Sequence, residues 1–232
     1  MTHGDAQISK RLEELNQRIN ESLKRANRDA SDFTLIAVTK RQPLSHLESA
    51  YGLGLRHFGE SLIQEGILKV KALPEDIHWH FIGHLQKNKV RRCLQAFEYI
   101  HSVDSLSLLE RIDLIAAEER VCPKIFLQIN YALDPDKYGL HPEALPTLLE
   151  ATLEKSHIDC VGLMGIPPLS AEGSDIDAYF QGMAELRDSL KARFPNWPGL
   201  LSMGMSADFD KAIQAGSHFI RIGSLLFGER EL

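Results

Sequence analysis

Eight short runs that read as candidate strands, the weakest at 56–59 and 97–101, separated by helically patterned stretches, constrain this chain more than any single motif. The runs fall at 33–39, 56–59, 78–82, 97–101, 124–130, 157–163, 200–203 and 218–222, and the segments 61–73, 105–119 and 175–193 carry helical spacing. No Pro/Gly/Ser-rich linker or change of composition interrupts the alternation. The pattern predicts a closed parallel (β/α)8 barrel of the TIM type rather than an open doubly wound sheet. Leu12, Leu15, Ile19 and Leu23 recur at helical spacing and predict an extra amphipathic helix over 6–29. One domain is expected over residues 1–232, with this helix inside 1–30 and the barrel over 33–228.

Composition narrows the function classes. The chain is 44% hydrophobic and 25% charged, enough for one large core. A formal net charge of -6 argues against a general nucleic-acid or anionic-membrane surface, because phosphate backbones are bound through clustered positive charge. Lys87, Lys89, Arg91 and Arg92 form a local basic cluster, which reads first as a solvated helix face. Cys93, Cys122 and Cys160 are far apart and odd in number, so neither a disulfide framework nor a zinc knuckle is expected, and a cytoplasmic location fits best. Met1 to Arg28 is polar with no apolar signal region, and no window reaches the roughly 18 apolar residues that span a bilayer.

Lys40 ends the apolar, β-branched run Phe33 to Thr39, which reads as a strand buried on both faces. A lysine at the tip of such a strand reaches water, pairs with an anion, loses its proton, or bonds covalently to an aldehyde. Ligands of (β/α)8 barrels bind at the carboxyl ends of the strands, which is where Lys40 falls. The segment Leu201 to Ser206 follows the seventh run. There Gly204 would admit a ligand to the backbone, Ser206 would cap a helix beginning near Ala207, and Asp208 suits its first turn. The eighth run ends in Arg221-Ile222-Gly223-Ser224, and phosphate sites of this architecture are frequently built from the loops after strands seven and eight. Arg221 alternates with Phe219, so both share a face; an inward guanidinium would donate to a ring nitrogen or pair with Glu60 or Asp208. His80, Asn130 and Lys137 are further polar residues at or just beyond strand ends.

These segments together resemble the pyridoxal-phosphate homeostasis proteins, single-domain relatives of the amino-terminal barrel of alanine racemase. The resemblance runs through Ala37-Val38-Thr39-Lys40, Phe58-Gly59-Glu60, His80 to Lys89, His101-Ser102-Val103-Asp104, Gln128-Ile129-Asn130, Gly162 to Pro167, Leu201 to Ser206, and Arg221 to Gly228. It implies that Lys40 forms a Schiff base with pyridoxal 5′-phosphate, that Ser206, Gly223 and Ser224 hold the phosphate with Met205 lending backbone, and that Arg221 meets the pyridine nitrogen. Ser61, His80 and Asn130 complete the implied cofactor contacts, and Lys137 is a second candidate landing site. Ser61 departs from the family, where Asn usually follows Phe-Gly-Glu.

Three functions are compatible with this reading. The first is a carrier that buffers and delivers pyridoxal phosphate, expected because the chain stops at Leu232, just after the barrel, without the second domain racemases use. Such a carrier is expected to be monomeric and to serve pyridoxal-phosphate-dependent apo-enzymes. The second is a racemase or decarboxylase using Tyr131, Tyr138 or Lys137 as its second acid/base group. The third discards the cofactor and makes Lys40 the Schiff-base lysine of a sugar-phosphate aldolase.

Overall fold

The structure, a computed structural model, describes residues 3–228. Helix α1 (His3–Arg25) precedes strand β1 (Thr34–Val38), and the chain then alternates: α2 (Leu44–Gly52), β2 (His57–Glu60), α3 (Ile63–Ala72), β3 (His78–Phe81), α4 (Val90–Leu94), β4 (Tyr99–Val103), α5 (Leu106–Glu119). It continues through β5 (Lys124–Ile129), α6 (Leu145–Leu153), β6 (Asp159–Gly165), α7 (Ser174–Arg193), β7 (Leu200–Met205), α8 (Phe209–Gln214), β8 (Phe219–Ile222) and α9 (Ser224–Phe227). The strands pair in sequence order into a closed parallel barrel, as the alternation of apolar runs predicts. The ring closes where β8 returns to β1, in register from Thr34 opposite Phe219 to Ala37 opposite Ile222.

All eight runs form strands, with shifted ends. The fourth begins at Tyr99 rather than 97, because Phe97 leaves the sheet to pack edge-on against Phe81 in the outer core. The sixth and seventh run on to Gly165 and Met205, two residues beyond their apolar runs. Helix α1 ends at Arg25, short of 29: Asn27 takes a positive φ of 51°, and Arg28 turns back to donate to the carbonyls of Ile213 (3.0 Å) and Ser217 (2.7 Å).

The reason for α1 lies at the other end of the chain. Helices α8 and α9 have only six and four residues, too few to cover their part of the barrel. Helix α1 lays buried Ile8, Leu12, Leu15, Ile19 and Leu23 against α2, α8 and α9 and completes the outer layer. Arg18 fixes its angle, bonding Asp210 at 2.5 Å with its guanidinium over the Phe209 ring.

Strand side chains alternate between two cores. Ile36, Tyr99, Phe126, Val161, Met164 and Phe219 fill the barrel, while Ala37, Phe58, Trp79, Ile100 and Leu127 face the helices. Lys40 follows two residues beyond Val38, the last residue of β1, at the carboxyl mouth of the barrel.

Candidate functional site

Lys40 is half-buried, in a turn whose flanks are tied on the outer side of the barrel. Thr39 donates its N–H to the Gly59 carbonyl at 2.9 Å and its hydroxyl to Glu60 Oε1 at 2.6 Å. Lys69 Nζ reaches the Thr39 carbonyl (2.6 Å), Glu60 Oε1 (2.7 Å) and Glu65 Oε1 (2.6 Å), and Glu65 in turn accepts from the Arg41 N–H at 2.5 Å. Thus a buried cation and two carboxylates hold the residues on both sides of Lys40. Burial raises the Glu60 carboxyl above its ordinary value, against the opposing hydrogen bonds of Lys69 and Thr39. Lys69 and Glu65 escaped the sequence reading, although their i,i+4 spacing on α3 and the place of Lys69 on the same stripe as Ile63 and Gly66 were visible signals.

Barrel closure brings the two ends of the sequence together at this mouth. A Cβ on Gly223 would lie 3.6 Å from the Val38 Cβ and carbonyl oxygen, so the turn after β8 sits directly beside the strand that carries Lys40. Met205 pairs with Arg221 across β7 and β8, and Ser206, Gly223 and Ser224 are partly or fully exposed around the same opening. The helix after β7 begins at Phe209 with Asp208 as its cap, not near Ala207 with Ser206 as cap. Asp208 Oδ1 accepts the Met205 N–H at 2.6 Å, which leaves the Ser206 hydroxyl without a protein partner among the described residues. Gly204 has a structural explanation in place of the ligand approach expected from sequence. Its φ is +97°, and a Cβ there would sit 2.6 Å from the Ala212 Cβ, so glycine lets α8 close on β7.

Arg221 is 5% exposed and faces into the barrel. Neither Glu60 nor Asp208 pairs with it directly: it donates to the Ser202 carbonyl (2.8 Å), the Ser202 hydroxyl (2.9 Å) and the Gly165 carbonyl (3.1 Å). A guanidinium has five N–H donors, so two remain for an acceptor from above. Burial lowers its pKa to about 10, with Asp208 and Tyr179 acting in the opposite direction, and it stays charged at neutral pH.

Two residues read as ligand contacts, His80 and Asn130, have their side chains engaged by the protein. His80 is fully buried below the mouth, with one ring nitrogen 2.9 Å from His57 and the other 2.9 Å from His101, so neither is left for a ligand. The Asn130 side chain organises the loop beyond β5, donating to the Asp134 carbonyl at 2.7 Å and accepting the Asp134 N–H at 2.9 Å. Lys137 donates to the Pro167 carbonyl at 2.5 Å and lines, with Gln128, Asn130, Tyr138 and Ile166, a cavity of about 170 Å³. Desolvation lowers its pKa. Ser61 is half-buried at the end of β2. Of the proposed second acid/base groups, Tyr138 is 60% exposed and stacked on His84 at 3.8 Å, and Tyr131 packs edge-on against Tyr179. In the basic cluster, Arg91 is bound to Glu118 and Glu119, which offsets its charge.

The set of donors fits a phosphorylated pyridine aldehyde: a lysine just past the first strand, a neighbouring glycine turn, a hydroxyl without a protein partner among the described residues, and a buried guanidinium with N–H groups to spare. No described helix is long and apolar enough to cross a membrane, and no described His/Cys/Asp/Glu cluster could hold a metal ion.

Comparison with known proteins identifies the family. The family model described as alanine racemase, N-terminal domain, matches residues 12–231. The chain is 37% identical over 222 residues to the pyridoxal phosphate homeostasis protein of Aquifex aeolicus, covering 95% of this chain and 97% of that one. It is 41% identical over 198 residues to the protein of the same name from Synechocystis, covering 84% and 91%. Among solved structures, PipY of Synechococcus elongatus is 37% identical over 96% of this chain and 100% of its own, with TM-scores of 0.86 without PLP and 0.84 with PLP bound. An alanine racemase of Clostridium difficile, 14% identical, shares the fold alone, with a TM-score of 0.72 over 93% of this chain and 58% of its own. From the span of the family match and the identity to these relatives, the chain belongs to the pyridoxal phosphate homeostasis proteins, built on the alanine racemase N-terminal barrel.

Proposed function

We propose that this protein binds pyridoxal 5′-phosphate at the carboxyl mouth of the barrel, buffering and handing on the cofactor to maintain vitamin B6 homeostasis without marked turnover of its own. One observation carries the reading: the β1–β8 seam sets the strand that carries Lys40 directly beside the Gly223 turn. When bound, pyridoxal phosphate supplies an aldehyde that an amine can capture and a ring that draws electrons when its nitrogen is protonated. Lys40 Nζ is the amine that would take the aldehyde carbon, with its backbone held by the Lys69 cluster. Ser206, Gly223 and Ser224, with the Met205 backbone, would grip the phosphate through hydroxyl and N–H donors, and Ser61 would lie on the ring side. Arg221 would donate to the ring nitrogen. Since it does not give up its proton at neutral pH, it would leave that nitrogen unprotonated and the ring a weak electron sink.

That last arrangement favours a carrier over a racemase or decarboxylase. Two-face proton exchange also needs a second acid/base group; the Tyr138 ring stacks on His84 and the Tyr131 ring packs edge-on against Tyr179. Formation of D-alanine from L-alanine by concentrated protein should therefore stay at background, and Tyr138→Phe should not alter it; turnover that vanishes in Tyr138→Phe would reverse the assignment. Relatives bear the name of homeostasis proteins, which supports the same reading. Lys137 is a second landing site in this proposal, because its partly desolvated amine lies beside a cavity. The carrier would act as a cytoplasmic monomer, with pyridoxal-phosphate-dependent apo-enzymes as acceptors.

The test is direct. Purified protein should be yellow after exposure to pyridoxal phosphate, and borohydride should bleach it and leave a reduced adduct mapping to Lys40. Lys40→Ala should lose both colour and adduct at that position. Undiminished uptake with an unchanged spectrum in Lys40→Ala would refute the proposal, and a colourless wild type that cleaves sugar phosphates would favour an aldolase.

A further inference from the structure

Beneath the mouth, the barrel interior holds a file of polar side chains that leads to Arg221. His57 Nδ1 lies 2.9 Å from His80 Nε2, His80 Nδ1 lies 2.9 Å from His101 Nε2, and His101 Nδ1 lies 2.9 Å from the Ser202 hydroxyl oxygen. Arg221 Nη1 lies 2.9 Å from that same oxygen. His80, His101 and Ser202 are fully buried. Aromatic rings fix the imidazole planes, Tyr99 stacking on His80 at 4.2 Å and Phe126 on His101 at 4.3 Å.

Proton bookkeeping gives the file a direction. A guanidinium has no acceptor, so at Ser202 it must donate. The serine still has its own proton to place, and the acceptor within reach is His101 Nδ1. His101 then carries its proton on Nε2 and gives it to His80 Nδ1, and His80 does the same toward His57 Nδ1. In the reverse sense, His101 Nδ1–H would point at a serine already facing a cation, and the buried serine O–H would have no acceptor among the described residues. A second proton on His80 would set N–H against the N–H of His101, and one on His101 would set N–H against the Ser202 O–H.

We propose that His57, His80 and His101 form a one-way hydrogen-bond file in the Nε2–H tautomer, and that Ser202 and His101 are positioning residues which aim Arg221 at the cofactor's ring nitrogen. The tautomer assignment stands on geometry alone; only the aim of Arg221 rests on the function proposed above. In this sense every imidazole turns its lone pair toward the guanidinium, so aligned dipoles compensate a cation whose direct partners are all neutral. The outer end of the file is His57, which stacks on His78 at 4.7 Å, with Glu98 and Lys124 as the charged groups beyond it. Burial lowers the pKa of all three histidines, consistent with neutral rings.

Long-range proton–nitrogen correlation spectra of ¹⁵N-labelled protein without cofactor test the assignment. His80 and His101 should each show a protonated Nε2 and a bare Nδ1 at neutral pH. An Nδ1–H or imidazolium pattern at either residue overturns the file. Ser202→Ala should free His101 to exchange tautomers and should shift the absorbance maximum of protein loaded with pyridoxal phosphate, whereas Ser202→Thr, which keeps the hydroxyl, should restore both. Unchanged tautomer and spectrum in Ser202→Ala refute the positioning role. Should Ser202→Ala fail to fold, the wild-type spectra and Ser202→Thr still decide. Failure of the wild type to take up pyridoxal phosphate would count against the proposed function instead, because the tautomers are read without it.

Discussion

Lys69→Met should lower stability by about 3–5 kcal/mol at neutral pH, the range for removing one partner of a buried ion pair. Lys69 is 5% exposed and Glu60 0%, so neither water nor salt can replace the lost cation. Glu60 Oε2 already has no hydrogen-bond partner, which leaves the carboxylate dependent on what reaches Oε1. The deficit should shrink as pH falls. Without Lys69 the Glu60 carboxyl, already held high by burial, takes up its proton in the folded chain before it would in the unfolded one, so acid favours the folded variant. Adding Glu60→Gln to Lys69→Met should recover part of the loss. Urea midpoints at constant slope measure all of this, and a loss below about 1 kcal/mol would mean that the pair is effectively solvated. Because Lys69 also holds the Thr39 carbonyl, Lys69→Met should slow capture of pyridoxal phosphate by Lys40.

The second large effect is a fall in stability on acidification below the ordinary imidazole value of 6.5. Folded, His80 and His101 stay neutral, their charged forms disfavoured first by burial and then by neighbouring charge, His101 for His80 and Arg221 for His101. Unfolded, each takes up a proton near its ordinary value. The unfolded state therefore binds more protons as pH drops, and each ring removes up to about 1.4 kcal/mol of stability per pH unit. Two rings give a slope approaching about 3 kcal/mol per unit. Glu60 and Asp208, raised by burial, titrate in the opposite sense and reduce it at the acid end. Urea midpoints taken between about pH 7 and about pH 5 should fall steeply; a flat profile would show that the buried imidazoles accept protons within the fold.

The barrel was legible because the strands are short and most are apolar, with β-branched or aromatic residues recurring where the sheet buries them, as in Leu35-Ile36-Ala37-Val38. Parity from Phe219 likewise placed Arg221 inside. What escaped were relations between strands. His80 read as a ligand contact because its neighbours in sequence are apolar, while the groups that occupy its nitrogens, His57 and His101, come from β2 and β4. The loop role of Asn130 was hidden for a related reason: its partner is Asp134, four residues on, in a loop whose path carries no periodic signal. Gly204 was legible as a glycine that must be one, but only the approach of Ala212 shows why.

The seam between the first and last strands has a consequence for biosynthesis. As the chain leaves the ribosome, Lys40 emerges early, but the turn that would grip the phosphate follows about 180 residues later, and that long separation makes the seam a slow, late contact. A nascent chain with its lysine exposed would have only an amine to offer, and a free amine captures aldehydes weakly and reversibly. Vitamer loading should then report completion of the ring, and the vitamer, by binding only the finished ring, should act as a latch that stabilises it by mass action.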